Sequence, residues 1–122
     1  IADSILPFFQ KWYNYSEADT LLCTPDMEPF KYRNYYDSYW KPLIENLNLG
    51  YYTPHCTRHT CISLLAEARV DQTSIKKIVG HAGAMTLTER VYTHLDIGVL
   101  IAAVNQMYVP SEYRQVLKKL NT

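Results

Sequence analysis

The residues best suited to chemistry stand together in the string HCTRHTC, which runs from His55 to Cys61. His55 and His59 are four residues apart, so a helix would bring both imidazoles to one face. Two histidines and two cysteines suggest a zinc site, but Cys56 would point away from that face and no second pair with zinc-site spacing follows. Buried free thiols are the simpler interpretation. With Cys23 the chain has three cysteines, an odd number that indicates a reducing, cytoplasmic compartment rather than a disulfide framework.

Three more residues could take part in chemistry. Arg58 lies inside the string, His81 follows Gly80, and Tyr92 is one of 11 tyrosines. Each has an ordinary structural explanation when taken alone, as a surface charge, a turn residue or a packed aromatic ring. Their combination and their order along the chain are what point to a function.

The segments TPHCTRHTCISLLAEARVDQTSIKKIVGHA and TLTERVYTHLD resemble the second half of the catalytic domain of tyrosine recombinases, the phage integrase family. The family's His-x-x-Arg followed by His-Thr is matched from His55 to Thr60, and its Leu-Gly-His element is matched by Val79-Gly80-His81. Its Tyr-Thr-His element is matched at residues 92–94, where the tyrosine stands 11 residues beyond the histidine, slightly more than is usual. The resemblance covers about residues 50–98, with weaker similarity back to the first residue.

The resemblance implies site-specific DNA recombination or integration through a covalent protein–DNA intermediate. In that mechanism the Tyr92 hydroxyl attacks a phosphodiester, forms a phosphotyrosyl bond to the 3′ end and releases a 5′ hydroxyl. Arg58 corresponds to the family's phosphate clamp, His55 to its acid/base or phosphate ligand, and His81 to a hydrogen-bond donor to a nonbridging oxygen. The implied partners are double-stranded DNA and other recombinase protomers, and the chemistry requires no metal or cofactor.

Two cationic groups of the family are not identifiable in this sequence: an arginine far upstream and a lysine on a β-hairpin. Arg33 is only 25 residues before Arg58, and Lys11 falls within a predicted helix. The chain also starts abruptly at Ile1. We therefore expect residues 1–122 to form a single, partial catalytic domain, the C-terminal piece of an integrase, that cannot complete strand exchange alone. The alternative is a non-catalytic DNA-binding or protein-interaction module that has kept the recombinase fold.

The charge balance is neutral, with 12 basic and 12 acidic residues among 122. Phosphate binding usually requires an excess of Lys and Arg. However, the two halves of the chain carry opposite net charges that cancel. Residues 1–54 carry four basic and seven acidic side chains, whereas residues 55–122 carry eight basic and five acidic ones. DNA is therefore not excluded, although we expect weak binding by this chain alone. No apolar run approaches the ~20 residues that a membrane span needs.

Helical periodicity predicts a mostly α, multi-helical fold with little strand. Leu21–Cys23 is expected to form a short strand or an extended link, and residues 108–122 a tail helix that packs on its own domain or on a neighbouring protomer. Caps, glycines and prolines place the expected helices as follows: from the Asp3–Ser4 cap to about Tyr15, from Phe30 to Leu49 with an interruption at Pro42, from Pro54 to about Ala68, from Gln72 to Val79, from Thr86 or Thr88 to Tyr92, from Ile97 to about Met107, and from Ser111 to Leu120.

An aromatic stripe runs along the helix that is expected from Phe30 to Leu49. Tyr32, Tyr36 and Tyr39 recur three or four residues apart, which predicts core and interface packing rather than a platform for stacking bases. Lys31 and Arg33 at the start of this helix are the candidate DNA-binding cations, through their charge and the helix N-terminus. The alternative for both is an ordinary solvated surface position.

Overall fold

The fold is mostly helical, as predicted. The computed structural model describes residues 1–81, 86 and 96–120. Within these ranges no strand occurs, and residues 21–23, expected as a short strand or an extended link, form only an isolated antiparallel bridge between Cys23 and Pro29. The predicted helix from Thr86 or Thr88 to Tyr92 lies outside the described residues. The helices are α1 (Leu6–Tyr15), α2 (Tyr32–Tyr35), α3 (Lys41–Asn46), α4 (Pro54–Glu67), α5 (Gln72–Ile78), α6 (Ile97–Val104) and α7 (Ser111–Leu120), and a π-helical turn (Tyr36–Trp40) stands between α2 and α3.

The chain divides into two compact units. The first, which we call the core unit, contains Ile1–Pro7 and Arg58–Thr122, and the second, the aromatic unit, contains Phe8–Thr57. The aromatic unit holds 13 of the 16 Phe, Trp and Tyr residues of the chain. Each unit therefore has its own chemistry, and each is described by itself.

The core unit is built around a cluster of buried apolar side chains from α4, α5 and α6. Leu65 at the end of α4 is fully buried, and full burial of a leucine side chain contributes about 1.5–3 kcal/mol. This cluster packs α4, the helix that carries the predicted phosphate clamp Arg58, against α5 and α6. Its buried members are Leu65, Val70, Ile75 and Ala103, and Cys61, Ile62, Ala68, Ile78 and Met107 pack against them.

The end of α4 is a left-handed turn at an arginine. Arg69 has φ 59°, its N–H donates to the Ala66 carbonyl at 2.9 Å, and the Val70 N–H donates to the Leu65 carbonyl at 3.0 Å. These two bonds are those of a Schellman motif, which satisfies carbonyls that the helix leaves without partners. The motif brings Val70 back onto Leu65, so the helix stop also builds the core.

The predicted interruption at Pro42 takes the form of a π-helical turn. Proline has no N–H, and in an α-helix its ring would clash with the carbonyl four residues earlier, that of Ser38. The backbone widens before Pro42, and the Lys41 N–H donates to the Tyr36 carbonyl across the π turn. α3 then continues with the proline in its first turn and ends at Asn46, earlier than predicted, because Asn48 adopts a left-handed φ of 57°.

The tyrosine stripe of this helical stretch lies largely on the surface, so the prediction that it forms core is wrong. Tyr32 is 65% exposed and Tyr39 is 50% exposed, while Tyr35 and Tyr36 are half-buried. The rings pair along the helix, with centroids 6.1 Å apart for Tyr32 and Tyr36 and 6.3 Å apart for Tyr35 and Tyr39. Periodicity correctly placed these rings on one face, but Tyr32 and Tyr39 of that face remain exposed to solvent.

The terminal segments follow the prediction with small differences. α1 begins at Leu6 rather than directly after an Asp3 cap, and a turn precedes it in which the Ala2 carbonyl accepts the Ile5 and Leu6 N–H groups, both at 3.1 Å. The Asp3 N–H instead donates to Asn105 Oδ1 at 2.8 Å, within the core unit. α6 ends at Val104, and α7 lies within residues 108–122, where the tail helix is expected.

We expect Asp71 to stabilise the core unit by capping α5. Its carboxylate accepts the Ser74 N–H at 2.9 Å, and hydrogen bonding from Ser74 lowers the pKa of the Asp71 carboxyl from its usual 3.8. Asp71→Ala should lower the free energy of unfolding by about 0.5–2 kcal/mol, and Asp71→Asn by less because the amide oxygen can still cap. Urea denaturation followed by circular dichroism measures both.

The pH dependence of this cap has a definite sign. Because the carboxyl has a lowered pKa in the folded chain, its stabilisation is complete above pH 3.8 and is lost as the pH falls through the folded value. The stability difference between the natural chain and Asp71→Asn should therefore shrink in acid. Asp26→Ala, which removes an exposed carboxylate elsewhere, is the control. A difference that persists unchanged in acid would contradict the assignment.

Candidate active site

The central scaffold of the site is α4, whose start follows from two adjacent residues. Thr53 precedes the helix and Pro54 is its first residue, where a missing N–H costs nothing and the proline φ suits a helix. The Thr53 carbonyl accepts the Cys56 N–H at 2.9 Å, which closes the first turn. The predicted helix is confirmed, and it presents His55, Arg58 and His59 at helical spacing along one face.

The three side chains differ in exposure. His55 and His59 are exposed, whereas Arg58 is half-buried. Within the described part of the chain, no carboxylate lies within ion-pair distance of the Arg58 guanidinium. A guanidinium carries a planar set of donors that matches the oxygens of an anion such as phosphate.

Cys56 lies beside His55 in the first turn of α4. The Thr53 hydroxyl is 3.5 Å from the Cys56 sulfur and, with the Thr53 backbone, lowers the pKa of this thiol. Cys23, Cys56 and Cys61 form no disulfide; Cys23 is buried and the other two are half-buried. Among the residues that the structure describes, no three His, Cys, Asp or Glu side chains are grouped so that they could hold a metal ion.

His81 is positioned by the way in which α5 ends. Gly80 has φ 72°, a conformation that glycine adopts at little cost, and its N–H donates to the Lys77 carbonyl at 3.3 Å. The His81 N–H donates to the Lys76 carbonyl at 2.8 Å, which completes a second Schellman motif. The backbone of His81 is thereby tied to the last turn of α5, while its side chain is exposed.

Three predicted site residues remain. Tyr92 lies outside the described residues. Lys31 and Arg33 belong to the aromatic unit, where Lys31 precedes α2 in an extended conformation and Arg33 has a side chain 93% exposed. Arg33 Nε is 3.8 Å from Asp37 Oδ2, a surface pair that contributes little to stability. The structure thus places His55 and Arg58 on α4, whose first residues up to Thr57 belong to the aromatic unit and whose residues from Arg58 onward belong to the core unit, together with His81.

The charge asymmetry of the sequence is retained by the units. The core unit carries eight basic and six acidic side chains, whereas the aromatic unit carries four basic and six acidic ones. Net positive charge attracts polyanions over distances of about a Debye length. The unit that contains Arg58 is therefore the more favourable one for an anionic partner.

Comparison with known proteins gives one result at the level of the family. The sequence model described as "Phage integrase family" matches residues 1–97, which is 97 of the 122 residues and includes every predicted site residue. No curated protein and no solved structure matches the chain. None of the helices in the described ranges is both long enough and apolar enough to cross a membrane.

Proposed function

This chain belongs to the phage integrase family, and from that membership we propose that it acts in site-specific DNA recombination or integration through a 3′-phosphotyrosyl intermediate. The single observation that carries the catalytic proposal is the half-buried guanidinium of Arg58, which lies on α4 one turn from His55 and has no carboxylate partner in the described residues. Such a group binds phosphate and stabilises the charge that builds on it during cleavage.

The proposed covalent step begins with the Tyr92 hydroxyl. Its oxygen attacks the phosphorus of a DNA phosphodiester, the bond from phosphorus to the 5′ oxygen breaks, and the 5′ oxygen leaves with a proton as a hydroxyl. The phenol proton passes to a base. A phenol has a pKa of about 10 and is a weak nucleophile at neutral pH, so this step needs a nearby base and a positive field. The 3′-phosphotyrosyl bond conserves the energy needed for rejoining.

Arg58 supplies the positive field in this scheme. Its guanidinium has two parallel N–H donors that match two phosphate oxygens, and it stays charged throughout the reaction. Packing of the second half of α4 against the core holds its helix in place. An anchored clamp stabilises the transition state without having to reorganise during the reaction.

The two histidines have complementary proposed roles. His55, exposed in the first turn of α4, is the candidate acid/base group or phosphate ligand. His81, which follows the left-handed Gly80, donates a hydrogen bond to a nonbridging phosphate oxygen. The Schellman motif favours the second role because it holds the histidine backbone at a defined place after α5.

Lys31 and Arg33 are proposed to bind phosphates of the DNA backbone. Both are exposed, and the long contact between Arg33 and Asp37 costs little to exchange for a phosphate. We propose double-stranded DNA and further recombinase protomers as partners. We also propose that these 122 residues alone do not complete strand exchange, because the family's second arginine and its hairpin lysine are not identifiable in them.

Covalent capture on nicked DNA tests the proposal against a non-catalytic module. A substrate with a nick beside the cleavage site loses its short 5′ fragment and traps the phosphotyrosyl adduct, which survives denaturing electrophoresis. The assay uses the full-length protein. An adduct supports the recombinase, whereas DNA binding in a mobility-shift assay without any adduct would favour the DNA-binding module.

A further inference from the structure

A cavity in the aromatic unit combines aromatic walls with polar side chains. Its volume is about 410 Å³, within the range of small-molecule sites. Phe30, Tyr35 and Tyr39 line it together with Glu28, Lys31 and Asn34. Of these only Lys31 belongs to the proposed DNA-binding residues, and none belongs to the proposed catalytic group.

The aromatic walls offer flat surfaces for a planar ligand. Tyr35 and Tyr39 have centroids 6.3 Å apart and planes inclined by only 24°, so their faces are nearly parallel. Phe30 meets Tyr35 edge to face, at 5.6 Å and 80°, which supports the Tyr35 ring from another side. Stacked aromatic side chains of this kind bind nucleobases of any sequence through their π faces.

The polar side chains supply complementary groups for the edge of such a ligand. Asn34 carries a donor and an acceptor, Glu28 carries acceptors only, and Lys31 carries a cation. Within the described part of the chain none of these three side chains has a hydrogen-bond or ion-pair partner. Their capacity to bind a ligand is therefore not used by neighbouring residues.

We propose that this cavity binds an unstacked nucleobase together with its phosphate. The base stacks on Tyr35 and Tyr39, its edge bonds to Asn34 and Glu28, and its phosphate pairs with Lys31. Asparagine matches the amino and ring nitrogen of adenine, and a glutamate accepts from exocyclic amino groups but repels carbonyl oxygens. Adenine is thus preferred over thymine. The inference rests on the proposed function for its choice of DNA as the source of the base.

Binding of single-stranded oligonucleotides to the full chain tests this site. Fluorescence anisotropy should show tighter binding of a labelled oligo-dA than of oligo-dT, and 2-aminopurine within the strand should change its fluorescence on stacking. Tyr39→Ala should weaken oligo-dA binding by about 5-fold to 100-fold, the effect of losing one base stack, while Tyr39→Phe retains it. Asn34→Ala, at an exposed position, should reduce the preference for dA while keeping the stacking signal.

The controls separate this site from general effects. Tyr13→Ala removes a tyrosine of α1 that is 72% exposed and does not line the cavity, so it should leave binding unchanged. Circular dichroism checks that each variant is folded, and Tyr39→Phe and Asn34→Ala keep the test valid if an alanine variant unfolds. Equal effects of Tyr13→Ala and Tyr39→Ala, or equal binding of dA and dT strands, would overturn the proposal.

Competition identifies the source of the base. Displacement of the oligonucleotide by deoxyadenosine monophosphate at a similar concentration assigns the site to a free nucleotide, and displacement only by an oligonucleotide assigns it to an unpaired base in DNA. Both results support a nucleobase site. Covalent capture on nicked DNA is measured separately. Loss of adduct formation with intact oligo-dA binding would contradict the catalytic proposal alone. Loss of oligo-dA binding with intact adduct formation would contradict the nucleobase site alone.

Discussion

Tyr92→Phe should abolish the covalent protein–DNA adduct. Phenylalanine keeps the ring but removes the oxygen that forms the phosphotyrosyl bond, so no other group in the proposed scheme can take its place. We expect the adduct on nicked DNA to fall below detection, while the DNA affinity measured by mobility shift stays within a few fold. The loss would be the largest effect of any substitution in the chain.

The matched control for this variant is Tyr108→Phe. Tyr108 is an exposed tyrosine of the same unit and lies beyond the recombinase motifs, so removal of its hydroxyl should leave the adduct yield unchanged. Adduct formation by Tyr92→Phe would assign the nucleophile to another residue. The interval of 11 residues between His81 and Tyr92 makes this check a direct test of the motif alignment.

Arg58→Lys should reduce the rate of cleavage by about 100-fold to 1,000-fold, the usual effect of losing one donor to a developing oxyanion. Lysine keeps the positive charge, but its ammonium is a point charge that cannot bond two phosphate oxygens in one plane. DNA affinity should therefore change much less than the single-turnover rate of adduct formation. A large loss of rate with a small loss of affinity indicates a catalytic clamp, whereas equal losses of both indicate a general electrostatic attraction.

Arg69→Lys is the control for the arginine variant. Arg69 is exposed at the left-handed turn after α4, and either long cationic side chain can occupy that position. Its substitution by lysine should leave cleavage and binding close to those of the unchanged protein. An unreduced cleavage rate in Arg58→Lys would remove Arg58 from the proposed site.

Local signals predicted the helices that carry the site. Thr53 and Pro54 marked the start of α4, and Asp71 and Gly80 marked the start and end of α5, because caps and turn residues act through bonds within a few residues. The same rules anticipated an interruption at Pro42 but not its form. A π turn depends on how the backbone accommodates the proline, and composition carries no signal for that choice.

Asn34 shows where prediction from the sequence stopped. It lies between tyrosines of the stripe and belongs to no motif, so nothing in the sequence singled it out. Its position becomes informative only because the turn around Glu28 and the start of α2 bring it to a common cavity with Lys31 and Tyr35. The exposure of Tyr32 and Tyr39 was missed for a related reason, since periodicity shows which side chains share a face but not whether another element covers that face.

The sequence by itself determined the family, the mostly α fold and the identity of the candidate catalytic residues, because motif spacing and helix caps are local properties of the chain. Only the tertiary structure decided that Leu65, Val70 and Ile75 form the core and that Arg58 is half-buried without a carboxylate partner in the described residues. It also decided that the tyrosine stripe lies at the surface. Burial and pairing depend on residues distant in sequence, which pack together only once the chain has folded.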